Sequence, residues 1–161
     1  MKLWQSATFN AEVIQAVLSR LHLLLAALWW GGTTALAFVA VPVLFSHFDM
    51  PAVAGAAAAQ LFAAQSIGTV VLAGLAMLVL MLPSIQAPSR KQLRIMWASG
   101  AALAVCNQWL VAPLIITARS TGGNLQLWHG MGSTLILVQW LLGLCVMWML
   151  ACTGVRRDAE L

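Results

Sequence analysis

Four long apolar runs dominate this chain, and they leave few folds open. They centre near Thr33, Val70, Ala104 and Trp140. A helix needs about 20 mostly apolar residues to cross a hydrocarbon core about 30 Å thick, and each run is long enough. Barrel strands are excluded, because they need only about 10 residues and alternate polar with apolar positions. Backbone groups in lipid must pair within their own segment, so each run is predicted to be a helix. The spans are placed at about 21–45, 57–82, 93–117 and 128–152. Charge points the same way. Only 7% of residues are charged, against about a quarter in a soluble domain, too few to cover a water-facing surface. The expected fold is an all-α membrane protein, a single domain over residues 1–161.

Breaks between the runs are short. Asp49-Met50-Pro51 marks the first turn, with Pro51 suited to open a new helix. The stretch "PSIQAPSR" carries two prolines and ends basic, and Ser120-Thr121-Gly122-Gly123-Asn124 forms the third turn. Connections this short force neighbours antiparallel, which predicts an up-down-up-down four-helix bundle. Lys2, Arg20, Arg90, Lys91, Arg94, Arg156 and Arg157 would lie on one side, with only Arg119 on the other. Basic residues favour the cytoplasm, so both termini are expected inside. The net charge of +4 is then a topological signal and not a nucleic-acid footprint. The first run extends from Leu21 to Phe45, longer than a signal-peptide core of about 7–15 residues, and is expected to stay in the mature protein.

Within the spans, the departures from plain Leu and Val are informative. His22, Trp29 and Thr33 share one stripe of span one at 100° per residue; His129, Ser133, Trp140 and Gly143 share one in span four. Gly31, Gly32, Gly55, Gly68 and Gly100 are expected to let helices approach closely. Pro42 and Pro113 either end their helices or disturb the outer half of the bundle. Gln60, Gln65, Asn107, Gln108 and Gln139 are read as interhelical hydrogen-bonding groups. No acidic residue falls inside a span, which weighs against an ion-coupled transporter. Cys106, Cys145 and Cys152 form no C-x-x-C pair and read as buried free thiols.

Depth sorting tests which of these residues can meet. His22 and His129 lie on opposite sides of the midplane, roughly 33 Å apart by helix rise, so one haem cannot join them within a chain. An inner group holds His22, Arg94, Met96 and Cys152, with Cys145, Met147 and Met149 deeper. Imidazole, thiol and thioether suit Cu(I), so His22, Cys145 and Cys152 are the candidate metal ligands and copper the candidate cofactor. An outer group holds His47, Asp49, Arg119 and His129, a candidate pocket for an anionic group. No Gly-x-Ser-x-Gly, His-Glu-x-x-His or phosphate-cradling loop is present, so no catalytic residue is assigned.

"LHLLLAALWWGG" followed by "PVLF", then "AAQLFAAQSIG", "VAPLIITAR" and "LWHGMGSTLILVQWLLG", resembles a bacterial family of unknown function related to transmembrane protein 205. The fold of that family is similar to the membrane domain of copper resistance protein D. The resemblance implies metal handling and singles out His22, Trp29, Gly31, Gly32, Pro42, Phe45, Arg119 and His129. Three functions are therefore expected to compete. The first is binding or movement of a small ligand, a soft metal such as copper among them. The second is a scaffold docking a larger membrane complex. The third is a haem or quinone redox subunit. Partners would be the lipid bilayer and a second copy or another membrane protein, with no nucleic acid.

Overall fold

The computed structural model describes residues 2–82 and 90–158, with side chains placed for 13–82 and 90–152. The loop carrying Pro83 and Pro88, and the side chains of Lys2, Arg156 and Arg157, lie outside the described residues. The described chain is helical almost throughout. Four helices are long and apolar enough to cross a membrane: Val13–His47, Pro51–Met81, Arg90–Thr121 and Leu125–Cys152. They are called helices one to four below. All four expected runs are present, each as a longer helix than its apolar window.

The helix ends follow local chemistry. Pro51 opens helix two after an extended Met50, at a position whose N–H would have no partner anyway. Helix three stops at Gly122, whose φ of 73° is the left-handed conformation that costs glycine nothing. Two residues later the Asn124 side chain accepts a hydrogen bond from the Leu127 N–H, 3.0 Å, and caps helix four.

Pro42 and Pro113 end nothing. Helix one runs on from Lys2–Ala35 through a π-turn at Leu36–Ala40 into Val41–His47. Helix three runs from Arg90–Cys106 through a π-turn at Asn107–Val111 into Ala112–Thr121. A proline cannot donate to the preceding turn and crowds it, and one widened turn relieves both problems while the helix continues. Of the two readings offered by the sequence, helix termination is therefore corrected and disturbance of the segment stands.

The two π-turns belong to a wider correspondence. At one constant offset His22 maps onto Leu93, Ala26 onto Trp97, Trp29 onto Gly100, Thr33 onto Ala104 and Leu36 onto Asn107, and all ten are buried. The same offset carries Pro42 onto Pro113. At an offset one residue shorter, Thr69 of helix two maps onto Gln139 of helix four, Ala73 onto Gly143 and Ala76 onto Val146, again all buried. The two helical hairpins thus share much of their burial pattern and both π-turn–proline pairs, although their side chains diverge.

Helix one packs against helices two and four, and helix three against the same two. Their shared core holds Leu25, Ala26 and Trp29 with Ala73, Ala76, Leu80, Leu93, Trp97 and Val146. Large apolar side chains point outward on every helix, including Leu28, Phe38, Ile67, Leu78, Trp109 and Trp148. So wide an apolar exterior suits hydrocarbon rather than water.

Candidate functional site

Trp29 anchors the bundle centre. It is fully buried, its ring 4.9 Å from that of Trp97, centroid to centroid. It lies directly on Gly100 of helix three and against Gly143 of helix four. Trp97 donates its indole N–H to Nε2 of buried His22 across 2.8 Å, joining helices one and three. That bond uses the Nε2 lone pair and leaves the proton of a neutral imidazole on Nδ1.

One turn outward from Trp29 the core becomes polar. Gln65 donates to the Thr33 hydroxyl, 2.9 Å, and Trp140 donates to the Thr34 hydroxyl, 2.8 Å. Ser66 and Gln139 are buried at this level, and Asn107 is buried against Gly132. All four helices therefore contribute neutral polar side chains to a band about 5 Å deep by helix rise. The band is incompletely paired. Asn107 and Gln139 are 7% and 6% exposed, and neither side chain makes a hydrogen bond among the described residues. The buried indole N–H groups of Trp29 and Trp30 have no partner either. A buried donor without a partner costs about 1–3 kcal/mol, so the two indole N–H groups require an explanation, and the two unbonded amides, in nearly buried residues, add to it.

The expected inner metal group does not assemble. His22 faces the core, while Cys145 and Cys152 are exposed on helix four and Cys106 is half-buried, all three free. The expectation of buried thiols is corrected for the exposed pair. Among the described residues no three His, Cys, Asp or Glu side chains are grouped to hold a metal ion. Arg94, placed in the same group, donates to the Leu80 carbonyl at 2.8 Å. It thereby satisfies the C-terminal end of helix two, where a cation is favoured.

The outer group lies at the surface, and no hydrogen bond or ion pair joins its members among the described residues. Arg119, His129, His47 and Asp49 are all exposed, and no ion pair joins Asp49 to Arg119. His47 turns back on its own helix toward the Val43 carbonyl, 3.1 Å. The Arg119 guanidinium lies over Gly55, where a methyl would sit 3.1 Å from Nη2. A shallow hollow of about 470 Å³ nearby is lined by six residues of helix four, from Gln126 to Leu135, and by none of these four.

The stripe of His129, Ser133, Trp140 and Gly143 on helix four runs from the surface into the core. Gly132, Gln139, Gly143 and Val146 are buried, whereas His129 and Ser133 are exposed. Among the glycines, Gly32 receives the Gln65 side chain, but a methyl at Gly31 or Gly68 would meet nothing within 4 Å. Close packing accounts for Gly32, Gly55 and Gly100 within the chain and not for Gly31 or Gly68. The amide readings are corrected too. Of Gln60, Gln65, Asn107, Gln108 and Gln139, only Gln65 makes a hydrogen bond between helices among the described residues. Asn107 and Gln139 both fall near the centres of their runs, so depth sorting of amides, rather than of metal ligands, would have found the band.

Residues 24–124 match the family described as a domain of unknown function, DUF4149. The chain belongs to this family. The DUF4149 match takes in Trp29, the Thr33–Gln65 pair and Asn107, and ends before helix four, which supplies Gln139. No curated protein and no solved structure matches the chain.

Proposed function

We propose that this DUF4149 protein is an up-down-up-down bundle of the bacterial inner membrane, with both termini cytoplasmic, that binds or moves a small ligand through its interior. The observation carrying the reading is the central polar band with its unpaired Asn107 and Gln139 amides. Polar groups inside a membrane bundle are expensive, and a bound molecule offers them the partners that the chain itself does not. The seven-to-one division of basic residues supports the orientation. The kinship to transmembrane protein 205 and to copper resistance protein D rests on the quoted segments alone.

Copper fits this band poorly as a cargo, since amides and hydroxyls are hard donors and Cu(I) prefers thiolate and thioether. The test is direct. Protein purified in mild detergent is denatured and its released small molecules and metals are measured. We expect an organic molecule near one per chain in the wild type and its loss in an Asn107→Leu, Gln139→Leu double variant. Equal recovery from both proteins would sink the reading, as would bare protein from every preparation.

A docking role has one observation of its own. Gln60 is exposed on helix two, in a row with the equally exposed Ala52, Ala56 and Ala64. An amide in hydrocarbon gains from a partner, and a row of small residues admits a second helix closely. On this reading the partner is another copy of the chain, and Gln60→Leu should weaken self-association in detergent by about threefold to tenfold, the worth of one interhelical hydrogen bond. An unchanged monomer fraction argues against it.

A further inference from the structure

We infer that the central band recognises an uncharged hydrogen-bond acceptor that partitions into the bilayer, a carbonyl compound of the quinone type. The inference rests on the interior-ligand reading above and adds the chemical class.

The unpaired groups decide the class. Trp29 and Trp30 offer N–H donors and no acceptor. A bare cation cannot satisfy them, and an ether oxygen is a weak acceptor, whereas a carbonyl oxygen accepts strongly. Asn107 and Gln139 add further N–H donors from helices three and four, with their own oxygens free to meet a hydroxyl. The ligand's charge is limited by the surroundings. Among the described side chains, Arg20, Arg90, Lys91, Arg94, Asp49 and Arg119 all stand toward the helix ends, and none is buried beside the band. An ion placed there would lose its hydration with no opposite charge to offset the loss. A neutral carbonyl meets the donors without that penalty.

The remaining surroundings suit a flat ring. Trp29, Trp97, Trp30 and Trp140 form the inner floor, the last pair with ring centroids 5.9 Å apart. Aromatic faces at such spacings favour offset stacking with another ring. The π-turns at Leu36–Ala40 and Asn107–Val111 stand at the band's outer edge, one in each hairpin. Such turns are weak points of a helix, and here they lie where a molecule from the outer leaflet would enter.

The test uses full-length protein in mild detergent and follows thermal unfolding. Four additions are compared: a benzoquinone bearing one isoprene unit, the dimethyl ether of its hydroquinone, potassium chloride, and Cu(I). We expect a saturable rise in Tm with the quinone alone. Gln139→Leu and Asn107→Leu should each weaken the response about tenfold, the loss of one neutral hydrogen bond. Gln139→Met serves if Leu is not accommodated. A quinone response shared by the ether, or undiminished in both variants, overturns the inference. A response to chloride or Cu(I) that these variants abolish, with none to quinone, overturns the class and leaves the interior-ligand reading standing. No response to any addition overturns the inference, and if both variants are then also more stable than the wild type, the interior-ligand reading falls with it.

Discussion

Trp29 touches Trp97, Gly100 and Gly143 at once, so its indole fills a notch that two other helices leave open. A methyl added at Gly100 would overlap that indole. Gly100→Ala is therefore expected to cost about 1–3 kcal/mol by overpacking, read as a lower Tm in detergent. Combining it with Trp29→Leu should recover part of the loss, because the two substitutions share one contact. Gly31→Ala is the control: nothing lies within 4 Å, so the substitution should not lower Tm and should add up to about 1 kcal/mol of helix propensity. His22 supplies a second prediction. His22→Leu leaves the buried Trp97 N–H without an acceptor and should cost about 1–3 kcal/mol, whereas His22→Gln retains an acceptor and should lose less. Equal losses in the two variants would show that imidazole packing, not its lone pair, is what the bundle uses.

On the scale of single elements, helices one and three each carry a proline that the helix survives by widening one turn. Pro42→Ala and Pro113→Ala return an N–H to those turns. Each should stabilise the unliganded bundle by up to about 3 kcal/mol, the difference between the two residues in a helix interior. Spin labels at the two ends of helix one should report a changed separation in Pro42→Ala as the π-turn relaxes to an α-helical turn. If stability and separation both stay put, the turn is held by tertiary packing and not by the proline. The prolines were legible in the sequence; their consequence was not. A proline near a helix end and one inside a continuing helix look alike in a string, and only the neighbouring helices decide whether the segment beyond it is worth keeping helical.

For the whole molecule, orientation is the first matter to settle by experiment. Reporter fusions after Leu161 are expected to be active only as cytoplasmic fusions, given seven basic residues on that side. A periplasmic signal would reverse the direction of entry proposed for the ligand while leaving the band itself unchanged. Each hairpin carries one π-turn before its proline, at Leu36–Ala40 and Asn107–Val111. What the sequence determined by itself was the class of protein, the four helices and the positions of the first and third turns. These follow locally, because in lipid each backbone must satisfy itself and only an unbroken apolar run can do so. What the tertiary structure alone decided was which face of each helix turns inward. Helices two and four are apolar nearly all round, and lipid is as apolar as the core, so no polar stripe marks the outside. The stripe of His129, Ser133, Trp140 and Gly143 therefore did not show which of its members meet the core, Cys145 and Cys152 were expected inside and lie outside, and the band of Thr33, Gln65, Ser66, Asn107 and Gln139 emerged only when four helices met at one depth.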